Sequence, residues 1–278
     1  MPQDQIVALG IVAGATIFIG LPVGRFTGAG VPLRAFLSAI AVGILLFLFW
    51  DVLSAAVESI EGALLAAVGG TSPWGDFMVL AATGAVGLSA SLLGLVAYER
   101  WLAGRGARSA GAGEGGGAAS AANPPAATAR QLAILIAVGI GLHNFAEGLA
   151  IGQSAAAGEL AFAGTLVVGF ALHNATEGFG IVAPLAGGAT RPSWAFLGAM
   201  GLIGGGPTVL GTVVGQAVVN TTLSVAFLGL AAGSILYVVI ELLGVNRAFG
   251  LKVLASAGIL VGLLLGFGTD LFLKALGG

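Results

Sequence analysis

Residues 254–267 read LASAGILVGLLLGF, a stretch without a formal charge and without alternation of polar and apolar side chains. The missing alternation argues against a barrel strand, whose two faces differ. With its flanks, 252–274, the stretch is long enough at about 1.5 Å per residue to cross a hydrocarbon core of about 30 Å as a helix. Seven more runs of this kind occupy 5–24, 34–57, 77–101, 131–155, 160–186, 194–218 and 222–243. The expected fold is all-α, a polytopic membrane protein of eight transmembrane helices, with 1–278 as a single transmembrane domain.

Composition agrees. Of 278 residues, 58% are hydrophobic and 8% charged, whereas a soluble domain devotes about a quarter of its residues to charge. A net charge of −2 with no basic stripe excludes a nucleic-acid partner. Cysteine is absent, which removes disulfides, thiolate metal sites and thiol nucleophiles. The N-terminal run does not read as a signal peptide: Asp4 precedes it and its basic residue, Arg25, follows it.

With the first connection assigned to the cytoplasm, nine of the ten basic residues fall on that side and only Lys274 on the other. The positive-inside rule then puts both termini outside, in the inner cell membrane. The opposite face is acidic, with Asp4, Glu58, Glu61, Asp76, Glu159 and Asp270. Residues 102–129, rich in Gly, Ala and Ser with Pro124-Pro125, read as a flexible cytoplasmic loop between helices three and four.

The sharpest feature is a repeat. LHNFAEG at 142–148 returns thirty residues later as LHNATEG at 172–178, and the two histidines of the chain occupy equivalent places in it. On a helix, His at i and Glu at i+4 share a face, and the Asn at i+1 lies three residues before that Glu. Both copies fall near the middle of consecutive, antiparallel spans. A carboxylate in hydrocarbon costs at least about 2.5–3.5 kcal/mol, and two together repel unless a cation intervenes. Imidazole nitrogen with carboxylate oxygen suits Zn²⁺, Fe²⁺, Mn²⁺, Co²⁺ or Ni²⁺. The candidate ligands are His143, Glu147, His173 and Glu177. Asn144 and Asn174 would add oxygen ligands or outer hydrogen bonds. A single copy would serve as interhelical packing glue; two matched copies at mid-depth favour a metal.

HNFAEG followed by HNATEG, in the fourth and fifth of eight spans, resembles the ZIP (Zrt/Irt-like) divalent metal transporters and is most similar to their prokaryotic branch. The resemblance implies that His143, Glu147, His173 and Glu177 form the primary transport site. It also implies that Asn144 and Asn174, with the two glutamates, lean toward a neighbouring metal position. One departure stands out: Gly206, before Pro207, occupies the place of a span-six Glu found in many members. A single main metal site is therefore expected, with Pro207 breaking the helix.

Two further acidic residues fall within spans. Asp51, roughly 25 Å beyond Arg34, would receive cations near the outer leaflet. Glu241, near the cytoplasmic end of span seven, would guide release or pair with Arg247. Pro184 would kink span five beyond Glu177. The expected function is import of a divalent transition metal, zinc first and iron, manganese or cadmium next. The metal is cargo, and no cofactor and no enzymatic activity are expected. A metal-selective channel and an intramembrane metalloenzyme are the alternatives, although HNxxE differs from the HExxH of hydrolytic zinc helices. Helices rich in small residues suit a homodimer.

Overall fold

In membrane helices the hydrophobic effect does not drive association, so close packing and polar contacts must do it. The glycines spread along this sequence supply the close packing. The computed structural model describes residues 2–26, 30–111, 128–158, 160–187, 191–217 and 220–275. Apart from short turns they are helical, and eight helices are long and apolar enough to span a membrane.

These are span one (Gln3–Arg25), span two (Val31–Val68), span three (Trp74–Arg105), span four (Ala129–Ala156), span five (Ala163–Leu185), span six (Trp194–Ala217), span seven (Thr221–Ala248) and span eight (Lys252–Phe272). Spans one, four, five and six pack chiefly among themselves, and so do two, three, seven and eight. Span four also lies along span seven, and span five along span two, which joins the two groups at the centre.

The tightest seam joins spans four and six. A Cβ on Gly141, Gly148 or Gly152 would overlap the backbone carbonyl of Ile203, Thr208 or Thr212, and Gly211 and Gly215 meet Phe145 and Leu149 in the same way. Spans two and eight close through the facing pair Gly43 and Gly262. These helices come together because side chains are missing at the crossing points.

The basic ends cluster. Arg25 hydrogen-bonds the Pro192 carbonyl and stacks over Trp194 at 4.6 Å, and Arg130 lies over Phe196 at the same distance. The end of span one and the starts of spans four and six therefore meet on one side of the bundle. Cation–aromatic pairs of this kind suit a water–lipid boundary.

Several elements differ from the sequence reading. Spans two and three belong to helices of 38 residues, Val31–Val68 and Trp74–Gly111. The expected loop therefore starts later, because 102–111 continue the third span's helix; 112–127 lie outside the described residues, as does Glu159. Thr128 begins the next helix with a reciprocal cap: its hydroxyl accepts from Gln131 N and its own N–H donates to Gln131 Oε1. Pro207 does not break span six but sits inside a continuous helix, where neighbouring helices compensate for a missing donor. Pro184 does not kink an α-helix, since the α-helical part of span five ends at Val182 and a 3₁₀ turn, Ala183–Gly187, carries the proline.

Candidate metal centre

His143 is the fifteenth residue of the 28-residue helix Ala129–Ala156, so its side chain leaves the backbone at mid-span. His173 lies at a similar depth in the antiparallel neighbour, and the two imidazole centroids are 6.2 Å apart. The nitrogens and oxygens interleave. His173 Nε2 approaches Glu147 Oε1 at 2.6 Å, His143 Nε2 approaches the same oxygen at 3.0 Å, and His143 Nε2 lies 3.7 Å from Glu177 Oε1. One ligand atom from each of His143, His173 and Glu177 falls within 4.8 Å of the others, close enough to surround one ion. Glu147 completes the quartet by touching both histidines.

The asparagines take a more specific part than the sequence suggests. Asn144 donates through Nδ2 to the Gly204 carbonyl at 3.0 Å and to Glu177 Oε2 at 3.3 Å. Asn174 donates through Nδ2 to the Ala13 carbonyl at 3.1 Å. Each amide nitrogen is thus tied to a neighbouring helix, and each Oδ1 is left buried without a hydrogen-bond partner. Buried acceptors without partners are costly, and a bound cation would satisfy both. Glu147 Oε2 and Glu177 Oε1 are in the same condition.

The two copies dock by one rule. Asn144 holds the carbonyl of Gly204, and Gly148 closes on the carbonyl of Thr208, four residues further along span six. Asn174 holds the carbonyl of Ala13, and Gly178 closes on the carbonyl of Ile17, four residues further along span one. In each HNxxEG the Asn and the Gly are spaced by one helical turn, so they grip successive turns of the partner. The Ala13 carbonyl is available because span one is interrupted at Thr16, whose hydroxyl also bonds it at 2.6 Å. Nothing in the sequence marks Ala13, Gly204 or Thr208 as contributors; only the spacing of small residues hinted at close backbones.

A cavity of about 450 Å³ opens between spans two, five and eight and reaches His173 and Thr176. Asp51, Asp270 and Lys274 line it as well, and Lys274 Nζ sits 2.8 Å from Asp270 Oδ2. Asp51 and Asp270 thus share one cavity with His173. Glu241 is not drawn into the cluster. It lies near Glu99 of span three, which accepts a 3.3 Å hydrogen bond from Tyr237, and no Glu241–Arg247 ion pair occurs among the described residues.

Compared with known protein families, residues 104–273 match the ZIP Zinc transporter family. The chain belongs to the ZIP zinc transporter family. A search of the curated proteins finds no match. As a ZIP protein it is a multi-pass divalent-metal transporter rather than an intramembrane metalloenzyme, and the metal is its substrate. The match covers spans four to eight entirely and begins at the end of span three, so it includes both HNxxEG copies.

Proposed function

We propose that this ZIP protein imports Zn²⁺ through a single centre made by His143, Glu147, His173 and Glu177, with Asn144 and Asn174 offering carbonyl oxygens. The observation that carries the reading is the convergence of His143, His173 and Glu177 at mid-depth, beside a cavity that His173 lines. Two neutral imidazoles and two carboxylates match the ligand preferences of Zn²⁺, with Fe²⁺, Mn²⁺ and Cd²⁺ next. Gly206, which offers no side chain, favours one main ion over two.

In this reading both termini lie outside, so the cavity faces the exterior of an inner cell membrane. Asp51 and Asp270 draw the cation in, and His173 receives it first. Burial of the ligands against the other end supports a carrier that alternates its exposure over an open channel. Glu241 beside Glu99 provides an acidic exit on the cytoplasmic side. The chain is most similar to the prokaryotic branch of the family, and its helices rich in small residues suit a homodimer.

The test is metal influx into proteoliposomes loaded with a metal-sensitive dye. Wild type is expected to carry Zn²⁺ in a saturable way, and His173→Ala/Glu177→Ala to abolish it. Wild-type protein that moves no divalent metal would overturn the proposal.

A further inference from the structure

The shared docking rule makes Thr208 and Ile17 counterparts: each lends its carbonyl to the glycine that ends one HNxxEG copy. Their side chains also take corresponding places between spans one and six. Ile17 Cδ1 fills the place that a Cβ on Gly204 would take, and Thr208 Cβ lies against the place that a Cβ on Gly14 would take. The correspondence calls for an apolar residue at both positions. At 208 the chain has a hydroxyl instead, fully buried and without a hydrogen-bond partner.

A threonine within a helix commonly donates a hydroxyl hydrogen bond to the carbonyl four residues back. Thr212 does so, donating to Thr208 O at 2.8 Å. For Thr208 that carbonyl belongs to Gly204, which Asn144 already occupies. On its other side Thr208 packs beside Gly14, and the adjacent Ala13 carbonyl is held by Asn174. The orphaned hydroxyl is thus bracketed by the two backbone sites that orient Asn144 and Asn174, whose own Oδ1 atoms are orphaned too.

We propose that Thr208 is a ligand on the oxygen side of the transport site, where its hydroxyl, with the Asn144 and Asn174 carbonyl oxygens, meets the ion held by the His/Glu cluster. It supplies an oxygen from span six, which Gly206, two residues earlier and without a side chain, does not. Such oxygens weigh more for Mn²⁺ than for Zn²⁺, so Thr208 sets metal preference. The inference rests on the reading of the cluster as the transport site.

The experiment compares purified full-length wild type, Thr208→Val and Thr208→Ser, measuring Mn²⁺ and Zn²⁺ affinity and the metal-free Tm. Valine keeps the shape and deletes the hydroxyl. The expected result is a Mn²⁺ affinity lower by at least about 10-fold, a smaller loss for Zn²⁺, and full retention by Thr208→Ser. The metal-free Tm should hold or rise, because removing an unpaired buried hydroxyl relieves its desolvation. Unchanged Mn²⁺ affinity in Thr208→Val overturns the proposal. So does a fall in Tm with equal losses for both metals, which would mark a packing role. His173→Ala/Glu177→Ala is the control: if it binds Zn²⁺ like wild type, the transport site itself is misplaced, whatever Thr208 does.

Discussion

The two HNxxEG copies share four of their six letters yet live in different surroundings. Copy one, on span four, is sealed: His143 is 1% exposed and its Nδ1 has no partner. Copy two, on span five, is the wet one, since the His173 side chain keeps 12% of its surface and lines the cavity. Both copies dock by the same Asn and Gly contacts, one on span six and the other on span one. A motif therefore fixes how its helix sits on a partner, while the partner's location decides whether the histidine is port or back wall.

The largest effect should come from the atom that joins the two copies. Glu147 Oε1 contacts both histidines, so Glu147→Ala is expected to lower Zn²⁺ affinity by more than about 100-fold, beyond the usual loss for an outer partner. Titration calorimetry on the purified protein checks this, and a loss no greater than that of Asn174→Leu would dissolve the joint.

The asparagines come next. Removing Asn144 frees both Glu177 and the Gly204 carbonyl, whereas removing Asn174 frees only the Ala13 carbonyl. Asn144→Leu should therefore cost about 10–100-fold in affinity, with Asn174→Leu toward the lower end. Equal losses would mean that docking, rather than the Glu177 contact, carries the effect.

The difference in access can be read chemically. Diethylpyrocarbonate should modify His173 at least about 10-fold faster than His143 and be blocked by Zn²⁺, because carbethoxylation needs solvent contact with a free imidazole nitrogen. Peptide mass spectrometry distinguishes the two. Comparable rates would erase the contrast between port and wall.

The smallest effect belongs to the approach. Asp51→Asn should slow influx at low metal concentration by a few fold, because a lone carboxylate steers cations only over a Debye length of about 10 Å at 0.1 M salt. Repeating the flux assay at higher ionic strength should shrink the difference. A loss that persists in high salt would make Asp51 a tight ligand instead.

Much of this was legible in the residues. The eight apolar runs follow from the absence of charge, because hydrocarbon excludes charge wherever the chain crosses it. The His/Glu spacing fixes which side chains share a face, because helical periodicity is local. Loop and helix ends were less legible. The helix continues to Gly111 and the helix through Pro207 stays whole, since neighbouring packing outweighs local propensity. Glu241 illustrates a sharper limit: the charge that acts on it belongs to Glu99, 142 positions earlier in the chain.

By itself, then, the sequence determined the membrane class, the spans and which residues are candidate ligands, all matters of composition and short-range period. The tertiary structure decided the rest: which oxygen meets which nitrogen, which histidine faces water, and why Asn144 and Asn174 hold their carbonyl oxygens free. Those depend on backbone carbonyls of spans one and six, and every residue presents the same carbonyl to a reader of sequence. Only when glycines let two helices touch does a particular carbonyl become a partner.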